Sequence, residues 1–421
     1  MSALKRELRS LGAFITNKPP YCSGTLAVPN EDLILFYGKD GVASRIDLSH
    51  ASEEDLKHLA EACDVATFGI AQRDVLDESY RKAGKLDTSA FSMQFHAGDA
   101  GLLEAVKTDL MEAQRQRPIR AELYKLNVYG PKSFFKSHVD TPRSETMFGS
   151  LVVVFRTPHK GGALALRHDN QEWTFDSAAT FAEQSEPCVA YVAFYSDVEH
   201  EVLPVETGYR VTLTYNLYFG SEDPYHTVPN IHPNPLTESP FRDRLKELLK
   251  NPAFLPLGGT LGFGLRHQYP LKTKGAWRYE RKGVHPLKDL LVYLKGSDAV
   301  LLRICREFHL NASVQLLFRD TNGKRDVEVL CDRVVDMSDD CLDTQLWFHL
   351  RENYGGKLLR AVDGPEQQQD IEVHWVTETP KVNSIESPYI AYGNGASAAH
   401  TYMYLCLIIE VGKAGNRETA E

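Results

Sequence analysis

Seven cysteines are scattered from Cys22 to Cys406, and no two of them form a Cys-x-x-Cys pair. So odd and dispersed a set argues against a disulfide frame or a structural zinc site, and fits free thiols in a reducing compartment. A basic excess is also missing: 47 Lys and Arg face 57 Asp and Glu, for a formal net charge of −10. Nonspecific nucleic-acid binding needs a basic footprint, so no nucleic-acid partner is expected. The densest basic stretch, RQRPIR at 115–120, reads as a solvated helix end. No apolar run is long enough to cross a bilayer, and the opening MSALKRELRSLGAF has no apolar core of signal-peptide type. No signal peptide, no membrane association and a cytoplasmic or nuclear location are therefore expected. Internal repeats and low-complexity tracts are absent too.

What is there is the composition of an ordinary globular chain, 43% hydrophobic and 25% charged over 421 residues. That length allows roughly two or three domains. SEEDLKHLAEAC at 52–63 opens with Ser52 three residues before Asp55, a capping-box start, and repeats its apolar residues at helical spacing. GDAGLLEAVKTDLMEAQ at 98–114 is a second predicted helix, and the chain near TFG at 67–69 reads as irregular. From 119 to 219 short β-branched and aromatic runs alternate with turn signals, as in AELYKLNVYG, SLVVVFRTP, GGALALRHD, CVAYVAFYSD and YRVTLTYNLYF. Many short punctuated strands predict a sandwich or barrel. EDPYHTVPNIHPNP at 222–235 reads as a boundary, beyond which helical and strand patterns mix. The expected division is a supporting segment 1–118, a β core 119–220 and a C-terminal domain 221–421, either α+β or a degenerate second barrel. The fold class is α+β.

Within the β core, FFKSHVD at 134–140 places His138 and Asp140 two apart, where a strand turns both to one face. With 15 histidines in the chain, about one His-x-Asp triplet is expected by chance, so the triplet needs company. His200 follows the strand-like CVAYVAF, and Arg210 stands ten residues beyond it in GYRVTLTYNL. Alternation puts Arg210, Thr212 and Thr214 on one face of that strand and Val211, Leu213 and Tyr215 on the other. A charge and hydroxyls opposite an apolar face predict a polar pocket inside a barrel. Two histidines and one carboxylate suit a mononuclear iron(II) site with open coordination positions. A buried arginine suits the far carboxylate of an oxoacid.

These residues resemble an iron(II)/2-oxoglutarate-dependent dioxygenase, and YGPKSFFKSHVD and SDVEHEVLPVETGYRVTLTYNLYF resemble its prolyl-4-hydroxylase-like branch. GGALAL at 161–166 matches the Gly-Gly turn between the ligands, and the resemblance covers roughly 121 to 219. It implies a double-stranded β-helix core with flanking helices, iron(II) on His138, Asp140 and His200, and 2-oxoglutarate anchored by Arg210 with Thr212 assisting. Iron(II), 2-oxoglutarate and O2 are the implied cofactors, with ascorbate as reductant. The implied reaction hydroxylates an unactivated C–H bond while 2-oxoglutarate becomes succinate and carbon dioxide. Asp140 argues against a halogenase. Alternation groups Tyr129 with Asn127 and Lys125, opposite Tyr124, Leu126 and Val128, which favours Tyr129 as the pocket-lining tyrosine. Many relatives carry a tyrosine on the strand after the His-x-Asp loop; SLVVVFRTP has none.

The substrate is expected to be a peptide or protein residue, with a small natural product or amino acid as the alternative. A catalytically silent module sensing iron or 2-oxoglutarate is a third reading. A zinc hydrolase could use the same three side chains, but would leave Arg210 unexplained. His159 and His168 read as loop or rim residues, and Trp173 as packing. LDESYRKAGKLD at 77–88, LGFGLRHQYP, LKGSDA and YGNGASAA are similar to segments of fungal proteins that carry this oxygenase domain, and are expected to cover the barrel mouth or to help define the substrate. Nothing in the sequence specifies an oligomeric state.

Overall fold

Strand formation follows from burial on both faces in Cys188–Tyr195, where every side chain is inside, and from near-complete burial in Met147–Phe155. The structure is a computed structural model, described for all residues except 1, 40, 71–72, 112–113, 116, 221–234, 273–286, 321–326, 335–349, 353, 362–368, 381–399 and 418–421. The described elements fall into two compact units. One contains the strands from Tyr21 to Phe219; the other joins the helix Ala3–Ala13 to the elements from Pro235 onward.

The first unit is built on two antiparallel sheets. Seven strands run in the order Tyr21–Ala27, Cys188–Tyr195, Met147–Phe155, Arg210–Phe219, Ile119–Tyr129, Gly84–Asp87, Asp64–Val65. Five run in the order Gln171–Phe175, Leu164–His168, Glu199–Val202, Phe134–His138, Arg81–Lys82. Of the ten strands between Ile119 and Phe219, eight belong to these two sheets, four to each, and the chain passes from one sheet to the other and back, which is the wiring of a double-stranded β-helix. Trp173 packs on Tyr21, ring centroids 5.8 Å apart.

Several expectations are corrected here. The boundary at 118/119 does not separate units, because the strands beginning at Tyr21, Asp64, Arg81 and Gly84 are hydrogen-bonded into the same two sheets. Hydrogen bonding to a distant strand leaves no trace in local composition. The opening residues cluster instead with the C-terminal elements: Ala3–Ala13 buries Leu8 and Leu11, and Glu7 pairs with Arg244. RQRPIR leads into the strand Ile119–Tyr129 and is not wholly solvated: Arg117 is buried with its guanidinium 4.4 Å from the Phe219 ring centroid. TFG is not irregular, since Phe68–Ile70 pairs with Arg73–Val75. The helix Glu53–Ala62 does carry the Ser52–Asp55 capping box, and the second predicted helix runs from Leu102 to Asp109.

In the other unit, six strands run in the order Lys357–Ala361, Val327–Cys331, Asn311–Asp320, His400–Val411, Gly259–Lys272, Val373–Trp375. Helices Pro235–Lys250 and Gly296–Glu307 belong to it. Buried Asp298 accepts hydrogen bonds from the backbone N–H groups of Arg266 and His267 and from the Tyr269 hydroxyl. That carboxylate ties LGFGLRHQYP to LKGSDA, a structural use of both segments. YGNGASAA and Cys341 lie outside the described residues.

Candidate active site

His138 ends the strand Phe134–His138 and lies directly opposite His200 in the ladder with Glu199–Val202. Facing residues of an antiparallel pair share one side of the sheet, so both imidazoles enter the space between the two sheets. Asp140 follows in the loop, where the Ser150 hydroxyl donates to its Oδ2. All three are buried, and their ligand atoms lie within 4.8 Å of one another.

The tautomers are set by the backbone. His138 Nδ1 is 2.8 Å from the Lys136 carbonyl and His200 Nδ1 is 3.0 Å from the Val198 carbonyl. Each Nδ1–H therefore donates outward, leaving an Nε2 lone pair for the interior. His200 Nε2 stands 3.7 Å from Asp140 Oδ1. Burial, and then the neighbouring His200, push His138 well below the usual imidazole range, which keeps it neutral. Phe135 stacks on His138 at 3.6 Å and Phe194 lies 4.6 Å from His200, so neither ring is free to turn. Two imidazole nitrogens and one carboxylate oxygen, converging in a buried pocket, match the donor set that iron(II) takes.

The cavity behind them, about 50 Å3, is walled by both sheets. That is room for on the order of four water molecules, the scale of a small co-substrate. Arg210, Thr212 and Thr214 all line it, as the alternation predicts. Arg210 is 1% exposed, and its Nε and Nη2 have no hydrogen-bond partner. Among the described residues no carboxylate forms an ion pair with it. Burial pulls its guanidinium down to about 10. Its aliphatic stem rests against Gly162, whose φ is +73°; a Cβ there would lie 3.0 Å from Arg210 Cδ. A buried cation with uncommitted donors costs free energy unless an anion completes it, so the pocket fits a carboxylate ligand at this end.

Tyr129 lies across the ladder from Arg210, 5.8 Å from ring centroid to guanidinium carbon. Tyr124, assigned to the opposite face by simple alternation, lines the cavity as well. The register slips between Leu123 and Lys125, and such a bulge places one extra residue where alternation cannot be counted through. The strand Met147–Phe155 contributes Ser150 and Val152 in place of a tyrosine. His159 is held by the Thr157 carbonyl and the Ser177 hydroxyl, outside the triad.

Arg81, Ser150 and Phe194 also line the pocket and were not singled out in the sequence. Alternation already put Lys125 beside Tyr129; for Arg81, in LDESYRKAGKLD, no local signal exists, because its place depends on pairing with Phe135 across the sheet.

Residues 124–218 match the 2OG-Fe(II) oxygenase superfamily. This span is similar to a 2OG-Fe(II) oxygenase domain. The triad, Arg210 and the strands of the two sheets from Ile119 to Phe219 all fall within or beside that span, and the match supports reading it as a dioxygenase. The oxygenase domain has likenesses among solved structures. A Pseudomonas putida prolyl-4-hydroxylase is 18% identical, covering 51% of this chain and 100% of its own at a TM-score of 0.31. A Trichoplax adhaerens prolyl hydroxylase, solved with a hypoxia inducible factor peptide fragment, is 18% identical over 51% of this chain and 90% of its own, at a TM-score of 0.28. The viral collagen prolyl hydroxylase of Paramecium Bursaria Chlorella virus-1 is 11% identical over 40% and 91%, at a TM-score of 0.24. No curated protein matches the chain.

Proposed function

We propose that this oxygenase hydroxylates an unactivated C–H bond of a peptide or protein residue, with His138, Asp140 and His200 holding iron(II) and Arg210 anchoring 2-oxoglutarate. The observation that carries this reading is the buried, unpaired Arg210 guanidinium facing the same cavity as the triad. The likeness of YGPKSFFKSHVD and its partner segment to prolyl-4-hydroxylase-like sequences supports the peptide substrate.

Each residue has a task that follows from its position. The Nε2 lone pairs of His138 and His200 and the carboxylate of Asp140 would hold the metal, whose remaining positions would be open to ligands. Ser150 holds Asp140 in one orientation. Arg210 would take the far carboxylate of the co-substrate through its planar fork, with Thr212 and Tyr129 lining the same pocket. Phe135, Phe194, Val152 and Leu164 keep water out of the reacting space. Iron(II) and 2-oxoglutarate bound there would supply oxygen activation, with oxidation of 2-oxoglutarate to succinate and carbon dioxide providing two of the four electrons that reduce O2 and the C–H bond the other two.

Succinate formation by the purified protein with iron(II), 2-oxoglutarate, O2 and ascorbate tests the proposal beside His138→Ala and Arg210→Ala. Wild-type turnover lost in both variants is the expected result. Metal and 2-oxoglutarate binding without turnover would favour a sensor, and failure of the wild type to bind either would overturn the assignment.

A further inference from the structure

The segment LDESYRKAGKLD lies outside the matched span 124–218, yet it meets the strand that carries His138. That strand is not regular. Phe135 faces Val202 and His138 faces His200, so Lys136 and Ser137 together oppose Glu201 alone. Two residues against one make a β-bulge.

The bulge decides where His138 points. In unbroken alternation Phe135 and His138, three apart, would project to opposite faces. The extra residue brings them to one face, where their rings stack at 3.6 Å with 25° between the planes. Among the described residues, Lys136 and Ser137 have no facing residue in either ladder of that strand. Buried backbone groups set loose in this way cost free energy unless they are bonded elsewhere.

Tyr80 supplies those bonds. Its carbonyl accepts from the Lys136 N–H at 3.0 Å, and its hydroxyl donates to the Ser137 carbonyl at 2.6 Å. The ring packs on Phe68 at 4.5 Å and edge-on to Phe135 at 6.1 Å, which fixes where the hydroxyl sits. The next residue, Arg81, holds Phe135 in turn: its guanidinium lies 4.3 Å from that ring centroid and donates to Asn127 Oδ1 on the facing sheet. The Ser137 carbonyl belongs to the planar peptide unit that ends at the His138 Cα. Fixing that oxygen fixes the plane from which the imidazole departs. The Lys136 carbonyl, on the same bulge, accepts from His138 Nδ1–H at 2.8 Å. Backbone and ring are therefore held together through one tyrosine.

We propose that Tyr80 is a positioning residue for the metal centre, its hydroxyl pinning the bulge that turns His138 toward Asp140 and His200. This rests on the assignment of iron(II) to that triad. Tyr80 is not among the residues lining the pocket, so it acts through the Ser137 backbone.

Tyr80→Phe deletes the hydroxyl and keeps both ring contacts and the Lys136 bond, so the fold should persist. Lys82→Gln, an exposed change two residues on, is the control. Manganese(II) titration of the full chain should show affinity about tenfold weaker in Tyr80→Phe, the lower end of what outer partners of a metal ligand contribute, and unchanged in Lys82→Gln. A merely structural tyrosine would lower the melting temperature and leave metal affinity alone. That result overturns the proposal, as does an equal loss in Lys82→Gln. A second readout needs no metal. In metal-free protein with isotope-labelled histidine, the His138 Nδ1–H, assigned by its disappearance in His138→Ala, should exchange with solvent about tenfold faster in Tyr80→Phe than in wild type. No difference in exchange overturns the positioning role. Wild-type protein that binds no manganese(II), while Tyr80→Phe still speeds that exchange, would instead overturn the function proposed above and leave the hold of Tyr80 on His138 standing.

Discussion

Lys125 is the side chain whose ionisation the fold alters most usefully. Burial, followed by Arg81, Lys85 and Arg143 and only partly offset by Asp87, lowers it from the usual lysine value to about 7. In the unfolded chain it titrates near 10.4, so between about 7 and 10.4 the unfolded state binds one more proton than the folded state. Stability should therefore rise with pH across that window, by at most about 1.4 kcal/mol per pH unit, and level off below about 7, where both states hold the proton. Lys125→Met should flatten the rise, as read from urea midpoints between pH 6.5 and 9.5. Ser150 is a second test at this scale. Ser150→Ala removes the hydroxyl that holds Asp140, and outer partners of this kind contribute about 10–100-fold to metal affinity. Manganese(II) titration should show a loss in that range with little change in melting temperature.

Among the elements, the Gly161–Gly162 turn has the most direct link to the site. Gly162 adopts φ +73° and a Cβ there would approach Val205 Cγ2 at 2.8 Å and Arg210 Cδ at 3.0 Å. Gly162→Ala should cost about 1–2 kcal/mol from backbone strain and displace the Arg210 stem. 2-Oxoglutarate affinity should fall about tenfold, a loss of about 1.4 kcal/mol, while manganese(II) affinity stays put. Strand alternation was enough to place Arg210, Thr212, Thr214 and Tyr129 along one wall, since period two survives wherever the ladder is regular. It failed at Tyr124 because the bulge between Leu123 and Lys125 resets the count. Arg81 stayed hidden for another reason: its strand is two residues long, and only its pairing with Phe135 gives it a face. Local pattern reports periodicity and caps; it does not report which distant strand completes a sheet.

At the scale of the whole molecule the chain holds two cores, one in each unit. Heating should give two unfolding transitions in calorimetry, and manganese(II) with 2-oxoglutarate should raise only that of the unit bearing the triad. At a hundred times the dissociation constant the shift corresponds to about 2.7 kcal/mol. A single transition that moves as a whole would mean the two cores unfold together. The pairing of Ala3–Ala13 with a helix that starts at Pro235 also has a consequence for synthesis. The first helix leaves the ribosome more than two hundred positions ahead of its partner. At about 5–20 residues per second, roughly ten to forty-five seconds pass with Leu8 and Leu11 uncovered. The two sheets that bear the triad can pair in that interval, so a nascent chain would carry them folded while Leu8 and Leu11 are still open to nascent-chain chaperones.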